Sequence, residues 1–258
     1  MNRRAFLLGT GASAFAAPAL AQGSSSMRYS ALALQTVCDA VNQDSSTEAA
    51  RARMDRAINR VRGQIGSAKG FLKGFNGYDV KLVVLPEYWM TGFPLGETRE
   101  EWQDKAAIPM DGAIPDKLAG MAQALGVYLC SNHYENDEKF PDLYFQSNVI
   151  YAPNGDTVLR YRRMISLYTP SPYDVWDKYL EAYGEDAIFP VADTEIGMLG
   201  SIASEEILYP EIARMQAFKG AEIFCLPTNG WDVDRACLVR QDSCGSQSGR
   251  NADCQCRA

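Results

Sequence analysis

Three polar residues stand at the ends of predicted strands, where an α/β protein collects its catalytic groups. Glu87 follows a nearly continuous apolar run, Arg163 follows a predicted hairpin, and Ser204 follows a short apolar strand. Pro210 and Glu211, further along the chain, are typical of the first turn of a helix. Ser204 is therefore predicted at a junction between strand and helix, where a hydroxyl could act as a nucleophile. The alternative is that Ser204 only caps the helix.

The chain contains one histidine, His133. A hydroxyl nucleophile normally takes a histidine or lysine as its base, so His133 is a catalytic candidate. It follows the predicted strand 127–132 in a polar stretch, however, and this position favours an ordinary loop residue. A single histidine also disfavours a mixed cysteine and histidine zinc site. We therefore predict no metal and no cofactor.

The elements that must position these residues alternate between strands and helices. Apolar runs predict strands at residues 29–37, 80–85, 127–132, 147–151, 157–161, 189–191, 197–202 and 221–229. Helical spacing predicts helices at 45–66, 114–125, 175–183 and 209–219, the first with a capping box formed by Ser45 and Glu48. An Asn154-Gly155 turn predicts a hairpin, and the proline-rich and aromatic segment 168–186 is typical of a loop over a site. This order predicts two sheets, each with helices on its outer face.

The cysteines fall into two groups. Cys38, Cys130 and Cys225 lie alone in apolar runs and are predicted to be buried thiols of the core. Four more crowd the last residues of the chain, at Cys237, Cys244, Cys254 and Cys256. The segment 235–258 around them lacks apolar periodicity, which is typical of an aberrant tail translated out of frame. A genuine thiol-bearing tail and a zinc-binding tail are the alternatives.

The first 21 residues have the pattern of an export leader. Arg3 and Arg4 precede a short run rich in glycine and alanine, and the run ends in the small-residue pattern 19–21. This is typical of a twin-arginine signal peptide, since a membrane span needs about 20 strongly apolar residues. We therefore expect a periplasmic or secreted protein, with no membrane association after the leader is removed.

The charge of the chain excludes some partners. Its 25 basic and 32 acidic residues give a formal net charge of −7, and loss of Arg3 and Arg4 makes the mature chain more negative. Nucleic acid and anionic lipid are therefore disfavoured as partners. With 258 residues, 47% of them hydrophobic, the chain can bury the core of one α/β domain.

Three motifs, taken together in order and spacing, resemble the nitrilase superfamily of carbon-nitrogen hydrolases. They are Val83 to Glu87, Arg160 to Arg163, and Gly200 to Glu211 continuing to the Lys219-Gly220-Ala221-Glu222 turn. The resemblance covers a domain over residues 27–234. It implies a four-layer αββα sandwich, incomplete at its C-terminus, and a homodimer or larger homo-oligomer.

The resemblance also implies roles for single residues. Glu87 matches the general base of the family, Arg163 stands at the position of its lysine, and Ser204 stands at the position of its cysteine nucleophile. A second family carboxylate falls on Glu181, with Glu185 as the alternative. The implied activity is amidase-type hydrolysis of a non-peptide C–N bond in a small amide or nitrile. Because two catalytic residues are replaced, a catalytically inactive binding or assembly protein is the alternative.

Overall fold

The computed structural model describes residues 27–166, 169–229 and 250–253. The strands in these residues are β1 Ser30–Ala33, β2 Val80–Val84, β3 Ile108–Pro109, β4 Tyr128–Asn136, β5 Tyr144–Tyr151, β6 Thr157–Arg162, β7 Ala192–Thr194, β8 Gly197–Ser201, β9 Ile223–Leu226 and β10 Arg250–Asp253. The helices are α1 Thr47–Asn76, α2 Arg99–Ala106, α3 Ala113–Leu125, α4 Trp176–Tyr183 and α5 Pro210–Phe218. The predicted leader 1–21 and the cysteines of the tail lie outside the described residues.

The strands form two sheets. The first has the order β1-β2-β4-β5-β6, with β3 paired to β4, and the second has the order β10-β9-β8-β7. Parallel pairs join β1, β2 and β4, whereas β4, β5 and β6 are antiparallel. In the second sheet β8 and β9 are parallel, so the carboxyl ends of these two strands lie next to each other at the same end of the sheet.

The layers follow from which residues share a core. Leu82, Cys130 and Ile150 of the first sheet pack in one cluster with Leu199 and Cys225 of the second, so the two sheets lie face to face. The other face of the first sheet packs against the buried sides of α1 and α3. The buried residues of α5 belong to the cluster of the second sheet. The predicted αββα layering is thereby confirmed in the described residues.

Helix α1 differs from its prediction at both ends. Its N-cap is Ser46, whose side chain accepts a hydrogen bond from the Ala49 N–H, and not Ser45. The helix also continues ten residues past Gly66, to Asn76, and ends at Gly77 in a left-handed conformation. Glycine weakens a helix without breaking it, and a Cβ at Gly70 would meet open space. The extra turns are largely exposed, and Lys69 and Asn76 within them donate hydrogen bonds to Val80 of β2 and Ser30 of β1.

The prediction for Cys38 is wrong. β1 ends at Ala33, which pairs with Val84 at the end of β2, so the chain leaves the sheet before it reaches Cys38. The side chain of Cys38 is exposed, and its thiol donates to the Tyr88 carbonyl at 3.0 Å. Cys130 and Cys225 are buried, as predicted.

The antiparallel hairpin around Asn154-Gly155 is confirmed, as are α3, its Gly126 C-cap and α4. The first strand of the second hairpin lies three residues later than predicted, because β7 spans Ala192–Thr194, whereas β8 begins at Gly197 as predicted. Three elements were not predicted: α2, the short β3, and β10, which pairs in parallel with β9. None of the helices in the described part of the chain is both long and apolar enough to cross a membrane.

Candidate active site

Ser204 lies in a sharp bend between β8 and α5. β8 ends at Ser201, and the backbone N–H of Ser204 donates to the Pro227 carbonyl at 3.0 Å. A single turn of 3-10 helix, Ser204–Leu208, then leads to α5, whose N-cap is Tyr209. Ser204 therefore does not cap α5, and the capping interpretation is wrong. The side chain is buried within the bend, with 6% of the residue exposed.

Backbone strain is concentrated beside this bend. Among the described residues, the non-glycine residues with positive φ are Ser204, at 50°, and Tyr88, at 59°. A left-handed conformation disfavours side chains with a Cβ, and strained residues cluster at functional sites. Tyr88 follows Glu87, the predicted base. The two strained positions therefore coincide with two parts of the predicted site.

Glu87 is the buried acceptor of the site, with 3% of the residue exposed. Its Oε1 accepts from Gln146 Nε2 at 2.7 Å and from Arg163 Nη1 at 3.3 Å, and its Oε2 accepts from the Asn229 N–H at 3.2 Å. Burial raises the pKa of Glu87, and the neighbouring Ser204 side chain, the charge of Arg163 and the amide of Gln146 offset part of that rise. A raised pKa makes the carboxylate a stronger base.

Arg163 brings a positive charge to the same place. Its guanidinium donates to Glu87, to Gln146 Oε1 at 3.0 Å, to the Ile165 carbonyl at 2.7 Å and to Glu205. Burial lowers the pKa of Arg163, but the carboxylates of Glu205 and Glu87 outweigh burial and raise it overall. The guanidinium is therefore charged and held from several sides. Glu87, Arg163 and Ser204 are thus brought together, as predicted.

Gln146 is a site residue that sequence analysis missed. Its amide donates to Glu87 and accepts from Arg163, so it fixes both charged groups at once. It continues into a buried chain of polar side chains, because Asn132 donates to Asn148 at 2.8 Å and Asn148 donates to the Ser201 hydroxyl at 2.9 Å. This chain connects the first sheet to the second. Gln146 was missed because β5 begins before the predicted strand 147–151, and no local signal shows that Gln146 and Asn148 face a polar seam inside the sandwich.

Glu206 is a second site residue that the sequence did not indicate. Its carboxylate accepts from the N–H groups of Met164 at 2.7 Å and Ile165 at 2.9 Å, from the Tyr161 hydroxyl at 2.8 Å and from the Ala203 N–H at 3.2 Å. Burial raises the pKa of Glu206 to about 7, against the effect of these donors. The carboxylate therefore ties the segment after Arg163 to the bend that carries Ser204.

The segment 172–187 is anchored to the first sheet by charged and aromatic side chains. The buried Arg162 forms an ion pair with Glu135 and Asp137 and lies 4.4 Å from the ring centroid of Tyr183. The Tyr183 hydroxyl donates to Asp137 at 2.6 Å. These contacts fix α4 against the ends of β4 and β6.

The two candidates for the second carboxylate do not join the cluster. Glu181 is exposed on α4, and Glu185 is exposed at the start of the next turn. Neither has a hydrogen bond or an ion pair to Glu87, Arg163 or Ser204. Glu205 and Glu206 are instead the carboxylates that accompany Glu87 in the described site.

His133 is not a loop residue, and that prediction is wrong. β4 continues to Asn136, so His133 lies inside the strand, where it is buried. Its Nε2 lies 3.3 Å from Met110 Sδ, and its Nδ1 has no hydrogen-bond partner among the described residues. Burial lowers the pKa of His133 to about 4. It is not in contact with Ser204 and does not serve as its base.

A cavity of about 340 Å³ opens elsewhere, along β6 and α4. Its lining includes Arg160, Arg162, Tyr179 and Tyr183 but none of Glu87, Arg163 and Ser204. Within residues 27–166 and 169–229, histidine, cysteine, aspartate and glutamate side chains form no group of three that could hold a metal ion.

Comparisons with known proteins indicate the family and the fold of the chain. The carbon-nitrogen hydrolase family model matches residues 41–242. A bifunctional nitrilase/nitrile hydratase of Nicotiana tabacum is 26% identical over 225 residues, which cover 79% of this chain and 62% of that protein. The chain thus spans about three fifths of the length of this relative.

Two solved structures share the fold. A carbon-nitrogen hydrolase from Helicobacter pylori G27 is similar with a TM-score of 0.60 and 19% identity, over 86% of this chain and 70% of that one. A variant of the amidase from Nesterenkonia sp. AN1, in which acrylamide has added to the active-site cysteine, has a TM-score of 0.55 and 16% identity, over 84% of this chain and 74% of that one.

Proposed function

We propose, since the chain belongs to the carbon-nitrogen hydrolase family, that Glu87, Arg163 and Ser204 form an active site for hydrolysis of a C–N bond in a small amide or nitrile. The observation that carries the proposal is that the buried Glu87 carboxylate, held by Gln146 and Arg163, lies next to the Ser204 side chain, which lowers its pKa. A nucleophile needs an adjacent base, and Ser204 and Glu87 would supply these two groups.

For an amide, the steps follow from these positions. Ser204 Oγ attacks the carbonyl carbon while its proton passes to Glu87, and the resulting oxyanion is stabilised by positive charge from Arg163. Glu87 then protonates the departing nitrogen, ammonia leaves, and an acyl ester remains on Ser204. Water attacks the ester, gives a proton to Glu87 and releases the carboxylic acid. Glu87 returns that proton to Ser204 Oγ.

Replacement of a thiol by a hydroxyl should make this cycle slow. A thiol with a pKa of about 8.5 beside a carboxylate of about 4.3 already leaves a gap of about four pKa units, or nearly 6 kcal/mol. A hydroxyl is a far weaker acid, so the gap is larger. Burial of Glu87 raises its pKa and narrows the gap, which supports residual activity. We therefore propose slow hydrolysis through an ester.

The second candidate function is binding without turnover. It is favoured by the arrangement of Arg163, whose guanidinium already donates to Glu87, Gln146 and Glu205. An arginine also keeps its proton, so it cannot exchange one with a substrate as a lysine can. In this alternative the site holds an amide but does not cleave it.

Ammonia release distinguishes the two functions. The purified protein is incubated with a panel of short amides and nitriles, and ammonia is measured over hours. Slow release by the native protein that disappears in Ser204→Ala supports hydrolysis. Binding of an amide without release supports the second candidate. Release that persists in Ser204→Ala excludes Ser204 as the nucleophile.

We also propose that copies of the chain associate through α5. Met215 and Phe218, on the predicted apolar side of this helix, are 41% and 73% exposed. Exposed large apolar side chains close together on one helix are typical of an interface. Light scattering should give a dimer or larger oligomer for the native protein and a smaller species for Phe218→Asp.

Export remains a proposal that rests on Arg3 and Arg4. Replacement of both by lysine should retain the protein in the cytosol of a bacterium with a twin-arginine pathway. Unchanged export of the double variant would contradict the proposal.

A further inference from the structure

The guanidinium of Arg163 has little donor capacity left for a substrate. An arginine offers five N–H donors. Nε donates to Ile165 at 2.7 Å, Nη1 donates to Gln146 at 3.0 Å and to Glu87 at 3.3 Å, and Nη2 donates to Glu205. One N–H therefore remains without a partner among the described residues. An anionic substrate group that used this guanidinium for a paired interaction would have to displace Glu205.

The charges around Arg163 also disfavour an anionic substrate group. Glu205, Glu87 and Glu206 all act on its positive charge. In the part of the chain that the structure describes, no second cation forms an ion pair with any of these three carboxylates. Burial favours the neutral form of Glu87 and Glu206, so part of the excess negative charge is relieved inside the site. The site nevertheless contains more acids than bases.

Glu205 lies on the solvent side of this cluster. Its side chain is 62% exposed, whereas that of Glu87 is 2% exposed and that of Arg163 is 8% exposed. One of its oxygens, Oε2, binds Arg163. A group that approaches Ser204 from this side therefore meets a carboxylate before it meets the guanidinium.

We propose that Glu205 selects the charge of the substrate, so that the site binds small amides that are uncharged or carry an ammonium group and disfavours amides that carry a carboxylate. This inference rests on the proposed function for the choice of amides as ligands. A carboxylate would compete with Glu205 for Arg163 and would add negative charge to the cluster. An ammonium group would instead interact with the exposed carboxylate of Glu205.

Three amides of similar size test the proposal: butanamide, which is neutral; 3-aminopropanamide, which is cationic at pH 7; and succinamate, which is anionic. Their dissociation constants for the whole protein are measured by ligand-observed NMR, at low and at high salt. The same titrations use Glu205→Gln and, as a matched control, Glu211→Gln, which removes an exposed carboxylate on α5. Circular dichroism verifies that each variant is folded.

The native protein should bind succinamate at least fivefold more weakly than butanamide and should bind 3-aminopropanamide at least as tightly as butanamide. Glu205→Gln should reduce the difference in affinity between succinamate and butanamide about fivefold, which is the scale of one exposed ion pair. Glu211→Gln should leave this difference unchanged. High salt should weaken the discrimination. Equal binding of succinamate and butanamide by the native protein, an unchanged ratio in Glu205→Gln, or no binding of any probe would overturn the proposal.

Failure of the proposed hydrolysis would give a different result. If ammonia is never released but the order of affinities holds and depends on Glu205, hydrolysis is wrong and charge selection stands. If ammonia is released but succinamate binds as well as butanamide, hydrolysis stands and charge selection is wrong.

Discussion

The side-chain amide of Gln216 binds Ser201 at both of its backbone groups: the Ser201 N–H donates to Gln216 Oε1 at 2.8 Å, and Gln216 Nε2 donates to the Ser201 carbonyl at 2.6 Å. β7 pairs with β8 only as far as Leu199, so within the described part of the chain no strand reaches Ser201 on that side. Gln216, from α5, takes the place of that strand. The end of β8, just before the bend at Ser204, is thereby fixed to a helix.

Gly200 makes this contact possible, and its replacement tests it. A Cβ at position 200 would lie 2.4 Å from Gln216 Oε1 and 3.1 Å from Ala221 Cβ. Gly200→Ala should therefore lower the free energy of unfolding by about 1–3 kcal/mol, measured by urea denaturation. Gly70→Ala, in α1 with open space around it, should be neutral or stabilising by about 0.5–1 kcal/mol. Equal effects of the two substitutions would show that Gly200 has no special role.

Glu206 should be more important for stability than its neighbour Glu205. Its carboxylate accepts four hydrogen bonds, whereas an amide at this position would turn an N–H group towards backbone N–H donors. Glu206→Gln should lower the free energy of unfolding by about 1–3 kcal/mol. Glu205→Gln, which loses one exposed ion pair, should cost less than about 1 kcal/mol. Urea denaturation compares the two variants, and the reverse order would contradict the anchoring role of Glu206.

His133 should make the protein less stable in acid. Burial lowers its pKa to about 4 from an ordinary 6.5, so between these pH values the unfolded chain binds a proton at His133 that the folded chain does not. The contribution of neutral His133 to the free energy of unfolding is therefore fully present above pH 6.5 and is lost as the pH falls towards 4. The shift corresponds to a loss on the order of 3 kcal/mol.

Comparison with His133→Gln isolates this effect from that of other acids. Glu206, whose pKa is raised, changes stability in the opposite direction, losing stability as the pH rises from its ordinary 4.5 to about 7. The unfolding free energy of the native protein minus that of His133→Gln should decrease from pH 7 to pH 5. A constant value would mean that the pKa of His133 is the same in the folded and the unfolded chain, and an increase would mean that His133 is protonated in the fold.

Ser204→Cys should create a reactive thiol. Positive charge from Arg163 favours the thiolate, and the bend holds the side chain beside Glu87. The substitution is best made in Cys38→Ser protein, because Cys38 is exposed and would react as well. Alkylation with iodoacetamide, followed by peptide mass spectrometry, should modify position 204 faster than the buried Cys130 and Cys225. Modification no faster than at those two would show that the site does not activate a thiol.

The sequence predicted the elements with strong local signals and missed the contacts that depend on tertiary structure. Gly126 as a helix cap and Asn154-Gly155 as a turn act through neighbouring residues, so both predictions were confirmed. Cys38 was misplaced because an apolar run does not show where a partner strand ends.

In the candidate site, too, residues with a local sequence signal were predicted and residues that act through tertiary contacts were missed. Glu87, Arg163 and Ser204 follow recognisable strand ends or motifs and were predicted together. Gln146 and Glu206 act through partners that are distant in sequence, and a buried Glu with backbone donors looks like any acidic residue at a helix start. Glu181 was predicted from the loop position that the family implies, and the structure has it exposed on α4.

The polar seam through Asn148 has a mechanical consequence for the site. Glu87 and Arg163 are carried by the first sheet and Ser204 by the second, and Asn148 joins the sheets by donating to the Ser201 hydroxyl and to the Ile202 carbonyl at 3.0 Å. The distance between Glu87 and Ser204, the proposed base and nucleophile, thus depends on the spacing between two separate sheets. A core substitution that moves the sheets apart by about 1 Å would leave every helix intact and still separate these two residues, and a misplacement of that size would lower the proposed activity about 100-fold while the fold persists.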